Sequence, residues 1–104
     1  MDRVAHVRFD GAWAGTLWQD AEGFHFLYAD SYLAQGVPIG WLFPLGREVF
    51  HSPGLFPLFE NLASEGWLRD LQSREQKIDP SDRFALLLAN GADLTGAITV
   101  ERAP

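Results

Sequence analysis

Apolar and polar side chains alternate through the first 28 residues with the period of two that a half-buried β-strand shows. The alternation predicts strands over residues 3–9, 12–18 and 23–28. Asp10 and Gly11 form a connection typical of a tight hairpin, because Gly accepts the positive φ that such a turn requires. We therefore expect a three-stranded meander. Ala5, Val7 and Phe9 share one face of the first strand, and Phe24, Phe26 and Tyr28 share one side of the third.

Glycine and proline punctuate the middle of the chain, which favours short elements and turns. A short helical turn is expected after Asp30, which is placed to cap it. Residues 38–45 have the apolar character of a further strand. Pro38 and Pro44 lack backbone N–H groups, so we expect this strand at a sheet edge or on an irregular path. Residues 46–53 are predicted to form a loop or a distorted hairpin.

Apolar residues in the second half recur with the period of an amphipathic helix. The spacing predicts helices over residues 55–62, 67–76 and 81–89, the last beginning after the cap residue Asp79. A final strand is predicted over residues 94–100. Strands first, helices next and one strand last are typical of an α+β fold. We expect a mainly antiparallel twisted sheet of about five strands, with two to three helices packed on one side.

Composition mainly excludes certain kinds of structure and function. A length of 104 residues fits a single domain over residues 1–104. The absence of cysteine excludes disulfides and thiolate catalysis and favours a cytoplasmic location. A net charge of −6 argues against direct nucleic-acid binding and favours a basic protein partner. No apolar run approaches the roughly 20 residues of a membrane span, and the N-terminus does not resemble a signal peptide.

Residues that could support catalysis are present, but the sequence does not group them in a known catalytic or ligand-binding motif. His6, His25 and His51 lack the spacing of a metal-ligand pair, so we expect no metal site. Ser52 follows His51 but lacks the strained turn of a serine nucleophile. The glycine pairs lack the neighbouring lysine of a phosphate-binding loop, so we expect no cofactor. We interpret the chain as a binding module that is not an enzyme.

Four tryptophans are a high count for a chain of this length. Trp13, Trp18 and Trp41 fall within strand patterns, and we interpret them as core or sheet-surface residues. Trp67 differs, because it follows a break at residues 64–66 and opens a predicted helix. It either packs back on the preceding helix or projects into a partner's pocket, a role in which Trp is enriched at protein interfaces.

The order of several motifs resembles the N-terminal subdomain of HipA-type serine/threonine kinases. Residues 7–17 match its opening hairpin, and residues 38–45 and 55–62 match a Leu-Pro-Leu-like segment and the helix after it. Residues 82–87 and 91–100 match its Asp-x-Phe-x-Leu-Leu and Gly-x-Asp-x-x-Gly-Ala signatures. Each motif is short, but together they follow the family's order and spacing over nearly the whole chain.

The resemblance implies that the catalytic residues and the ligands of ATP and magnesium belong to a kinase body absent from this chain. A separate chain of this kind is similar to the HipS-type antitoxins of tripartite HipBST toxin–antitoxin systems. Their partners are a HipT-like kinase toxin and a HipB-like DNA-binding protein. The resemblance therefore implies inhibition of a kinase by docking near its nucleotide site. We expect this contact at Ser64, Glu65, Gly66, Trp67, Leu68 and Asp70.

Three alternatives stay open at this point. In the first, the chain is a non-inhibitory accessory domain, or an excised N-terminal domain, of a HipA-type kinase. In the second, it activates or completes the kinase instead of inhibiting it. In the third, it is an unrelated enzyme that uses His25 or His51.

Overall fold

The computed structural model describes residues 3–34, 36–63, 79, 81–91 and 97–103. Within these ranges the chain forms five strands and three helices. In chain order they are β1 (Arg3–Phe9), β2 (Ala12–Asp20), β3 (Gly23–Tyr28), α1 (Asp30–Leu33), β4 (Phe50–Ser52), α2 (Pro57–Ala63), α3 (Arg83–Asn90) and β5 (Ile98–Arg102). The predicted α+β class is confirmed.

The predicted meander of the first three strands is confirmed in its order, and the apolar residues predicted for one face of β1 and one side of β3 are buried in the core or packed against it. β1 pairs with β2 and β2 with β3, in antiparallel registers that place Ala5 opposite Leu17 and Leu17 opposite Phe26. All three side chains are fully buried. Asp10 and Gly11 connect β1 to β2 with φ angles of 51° and 84°, the left-handed conformation that a tight hairpin needs. The meander therefore forms one wall of the core.

Two further strands flank the meander. β5 pairs with β1 and β4 pairs with β3, so the strand order is β4-β3-β2-β1-β5 with antiparallel pairing throughout the described sheet. α2 and α3 contact each other, and α3 also contacts β5. Phe59 of α2 and Phe84 and Leu87 of α3 belong to the same buried cluster as Phe26 of β3. The helices thus supply the second layer of one core.

One predicted strand is wrong. Within the described residues, 38–45 join no sheet, and the Phe43 N–H donates to Gly40 O at 3.0 Å to close a tight turn. Prolines at both ends of the segment remove backbone donors that a strand would need. The strand that pairs with β3 lies later, at Phe50–Ser52, in the segment predicted to be a loop or distorted hairpin.

The helices lie close to the predicted positions. α2 corresponds to the predicted 55–62 helix, but it starts two residues later, at Pro57, where a missing N–H is tolerated. Asp30 is the first residue of α1, and Ala29 occupies the cap position without a side-chain bond. The predicted helix over residues 67–76 lies outside the described residues. Among the described helices, none is long and apolar enough to cross a membrane.

The start of α3 lies two residues later than predicted, because a different aspartate caps it. Asp82 accepts the Ala85 N–H at 3.2 Å as the N-cap. Asp79 accepts the backbone N–H of Ser81 at 2.9 Å, in the turn before the helix. Arg3 of β1 donates to both carboxylate oxygens of Asp82 at 3.0 Å, which ties the sheet to the start of α3.

Candidate protein-binding surface

Residues 40–43 form a turn, here called the Trp41 turn, whose tip is exposed and whose base is buried. Ile39 and Phe43 flank the tip and are only 5% and 3% exposed. Between them, Trp41 is 89% exposed and Leu42 is 53% exposed. The turn therefore presents two large apolar side chains on a base that belongs to the core.

A buried tyrosine of β3 holds the base of this turn. The Tyr28 hydroxyl accepts the Ile39 N–H at 3.0 Å and donates to Phe43 O. Burial raises the pKa of Tyr28, because the phenolate would lose its hydration. Tyr28 therefore keeps its proton at neutral pH and remains a donor to the turn.

A second tyrosine fixes the start of the same segment. The Tyr32 hydroxyl donates to Val37 O at 2.7 Å and accepts the Val37 N–H at 3.3 Å. The rings of Tyr28 and Tyr32 stack in parallel with their centroids 5.9 Å apart. Two tyrosine hydroxyls thus hydrogen-bond the backbone of residues 37–43, whereas the backbone of the meander is bonded by strand pairing.

An apolar groove lies between the Trp41 turn and α2, and we call it the Trp41 groove. Its volume is about 380 Å³, and it is lined by residues 40–43 of the turn, 50–51 of β4, and 56–58 and 61 in and before α2. A hollow of this size accepts a bulky side chain or a small ligand. The groove and the exposed Trp41 together form a surface suited to binding another molecule.

Trp41 differs from the other described tryptophans in what holds it. In the described part of the chain its indole N–H has no hydrogen-bond partner. Trp13 is 42% exposed, but its Nε1–H donates to Gly15 O at 2.9 Å. Trp18 stacks on His25 with the ring centroids 5.2 Å apart. An exposed large apolar side chain without partners is typical of an interaction surface.

The interpretation of Trp41 as a core or sheet-surface residue is therefore wrong, whereas Trp13 and Trp18 do lie on β2. The residues next to Trp41 in the sequence could have indicated a turn. Pro38, Gly40 and Pro44 surround Trp41, and this combination favours a turn over a strand.

Pairing of β3 with β4 brings two histidines together although they are distant in sequence. His25 and His51 stand opposite each other, with ring centroids 4.9 Å apart. His25 Nε2 donates to Asp20 Oδ1 at 3.0 Å, and His51 Nε2 donates to Glu22 O at 2.9 Å. The His25 bond and the Glu22 N–H hold the pKa of Asp20 below its ordinary value. Over the described ranges, no group of three or more His, Asp or Glu side chains is placed to hold a metal ion.

The contact residues predicted from the sequence lie outside the described residues. They are Ser64, Glu65, Gly66, Trp67, Leu68 and Asp70. In sequence they follow directly after Ala63, the last residue of α2. Leu58 and Asn61 of the same helix line the Trp41 groove. The role of residues 64–70 stays a prediction.

The fold and the exposed turn define a small α+β module with a surface suited to protein binding. Residues 5–101 match the family described as the HipA N-terminal domain. The chain belongs to the HipA N-terminal domain family, and it is thereby related to toxin–antitoxin proteins. The resemblance noted in the sequence is confirmed.

Known proteins show this module both alone and within longer chains. A solved structure described as "N-terminal domain of HipA toxin" matches with a TM-score of 0.79 and 38% identity, over 100% of this chain and 95% of that chain. An uncharacterized protein of Haemophilus influenzae is 43% identical over 99 residues, which are 95% of this chain and 92% of that protein. A Sinorhizobium fredii protein described as "Putative kinase Y4mE" is 30% identical over 99 residues, which are 92% of this chain but only 24% of that protein.

Proposed function

We propose that this chain is a non-enzymatic antitoxin that binds a HipA-type serine/threonine kinase of the HipT kind and keeps it inactive. The relation to Y4mE carries the proposal, because the chain corresponds to about a quarter of a protein described as a "Putative kinase". A module that is built into one kinase chain has a surface that fits a kinase body. We infer that this module binds such a body reversibly, and that its binding controls the kinase.

The proposed inhibitory contact is the segment of residues 64–70. Trp67 enters a pocket near the nucleotide site or separates the two lobes of the kinase. Glu65 and Asp70 face basic groups that otherwise hold phosphates. Both interactions favour an inactive kinase, and inhibition is limited by the difference in affinity for the inactive and active states.

Magnitudes indicate that Trp67 does not act alone. A buried interface tryptophan contributes about 2–4 kcal/mol to binding. Shifting a kinase from 1% to 99% inactive requires a difference in binding free energy of about 5.5 kcal/mol. The remainder has to come from further contacts that the same partner makes with this chain.

The distribution of charge supports a basic partner site. Among the described residues, four arginines form ion pairs: Arg3–Asp82, Arg8–Glu101, Arg47–Asp30 and Arg83–Glu60. Each pair neutralises one arginine and one carboxylate, so these pairs leave the net charge of the whole chain at −6. The acidic excess attracts a partner whose binding site is basic, as a site for ATP phosphates is.

Co-expression with the HipA-type kinase of the same host tests the proposal. We expect the wild-type chain to restore growth and suppress kinase autophosphorylation. Trp67→Ala should lose most of this protection, whereas Trp13→Ala, a matched change on β2, should retain it. Persistent toxicity and autophosphorylation in the presence of the expressed wild-type chain would contradict the proposal.

A second candidate function rests on the same relation to Y4mE, where the module is part of one long chain. In this version the chain is an accessory domain that completes the kinase without inhibiting it. The same co-expression distinguishes the two functions, because a completing domain raises autophosphorylation. A HipB-like DNA-binding protein is the proposed third component, and co-elution with the kinase complex tests its presence.

A further inference from the structure

We propose that the Trp41 turn and the Trp41 groove form a second docking surface for the kinase body, which provides affinity, while residues 64–70 provide inhibition. This inference rests on the proposed function, since it takes the same kinase as the partner. It assigns to the exposed surface a role that the predicted contact at residues 64–70 does not include.

The first argument is that the turn is preorganised. Tyr28 bonds the turn on both sides of its tip, at the Ile39 N–H and at Phe43 O. Trp41 and Leu42 are therefore displayed on a backbone that is already ordered before binding. A preorganised anchor loses little conformational entropy when it enters a pocket, so more of its burial appears as affinity.

The second argument is the distribution of polarity around the turn. Residues 37–45 contain no charged side chain. Charged residues follow this stretch in the sequence: the exposed Arg47, which pairs with the exposed Asp30 at 3.3 Å, and the exposed Glu48. An uncharged centre with aromatic anchors and a charged rim is the usual anatomy of a protein interface.

The third argument identifies the occupant as the kinase body. Leu58 and Asn61 of α2 line the groove, and the proposed inhibitory segment begins directly after α2 ends at Ala63. A partner that contacts the chain directly after Ala63 therefore lies close to the groove, because Asn61 is only two residues before the end of α2. A second copy of this chain is disfavoured, because two chains that each carry −6 repel each other.

Binding and inhibition measured separately test the inference. The probe is the purified HipA-type kinase of the same host, titrated with wild-type chain, Trp41→Ala, Leu42→Asp and Trp67→Ala, with Trp13→Ala as the matched control. We expect Trp41→Ala and Leu42→Asp to raise the Kd by about 10- to 100-fold. At saturating concentration both should still inhibit the kinase fully. Trp67→Ala should lose inhibition at saturation, and Trp13→Ala should stay within about twofold of wild type in Kd.

The outcomes separate this inference from the function on which it rests. If the wild-type chain binds and inhibits the kinase but Trp41→Ala and Leu42→Asp bind equally well, the inference is wrong and the proposed function stands. If the wild-type chain does not bind the kinase, both are wrong. If Trp41→Ala dissolves a dimer of the free chain and leaves kinase binding unchanged, the surface holds a second copy instead. Circular dichroism of each variant confirms that it is folded.

Discussion

The meander of residues 3–28 and the segment of residues 36–49 are both rich in apolar side chains, yet they place them in opposite environments. In the meander, regular strand pairing turns Leu17 and Phe26 fully into the core. In the later segment the backbone joins no described sheet, and Trp41 is 89% exposed. Apolar content alone therefore does not distinguish a core element from a binding surface in this protein.

The difference follows from how each backbone satisfies its hydrogen bonds. The strands of the meander bond to each other, so alternate side chains must point into the core. The later segment is bonded by the hydroxyls of Tyr28 and Tyr32, which fix only Val37, Ile39 and Phe43. The residues between these fixed points are free to face outward. An exposed tip is thus compatible with a rigid base.

The largest expected loss of stability comes from a substitution in the core of the meander. Phe26 is fully buried and contacts the rings of Tyr28, Phe43 and Phe59. Phe26→Ala should lower the free energy of unfolding by about 3–5 kcal/mol, because it leaves a cavity among these rings. Urea denaturation measures the change. A loss below about 1 kcal/mol would show that the core is not centred on β3.

A smaller effect should come from loosening the base of the Trp41 turn. Tyr28→Phe keeps the ring but leaves the Ile39 N–H and Phe43 O without their partner. We expect a loss of about 1–3 kcal/mol in the free energy of unfolding. Hydrogen exchange should accelerate at the Ile39 amide and not at Leu27 of β3. Equal acceleration at both amides would mean that the turn and the meander open as one unit.

The same tyrosine predicts a dependence on alkaline pH. Burial raises the folded-state pKa of Tyr28 above the ordinary value of 10.0, so above that pH the unfolded chain loses a proton that the folded chain keeps. The stabilisation from Tyr28 is therefore complete below pH 10 and is lost as the pH rises towards the folded-state pKa. The stability difference between wild type and Tyr28→Phe should shrink above pH 10 in urea titrations. A constant difference up to pH 11 would contradict this.

The smallest expected change in stability comes from a substitution at the exposed tip of the Trp41 turn. Trp41→Ala should change the free energy of unfolding by no more than about 0.5 kcal/mol, because the side chain is nearly fully exposed and has no described hydrogen bond. Thermal denaturation monitored by circular dichroism checks this. A loss above about 1.5 kcal/mol would show that Trp41 packs within the fold and is not available to a partner.

The parts of the fold that local pattern determines were predictable from the sequence. Period-two alternation located Phe24, Phe26 and Tyr28 on one buried face, and helical spacing located the two helices that place Phe59 and Phe84 in the core. The Asp10-Gly11 hairpin was predictable because its backbone conformation is chosen locally. These features depend on residues close together in the chain.

The parts that depend on distant contacts were not predictable. The conformation around Trp41 depends on the Tyr28 hydroxyl, which reaches Ile39 and Phe43 across 11 and 15 residues of sequence. Likewise, His25 meets His51 only through the register of β3 with β4. Period alone could not tell the 38–45 turn from a strand, because both are short apolar stretches.

Phosphate incorporation by the purified HipA-type kinase of the same host, titrated with this chain, tests the central claim most directly. The account predicts that kinase autophosphorylation falls towards zero as the chain approaches equimolar concentration. Phosphorylation that stays constant, or rises, in the presence of bound chain would contradict the proposed antitoxin function.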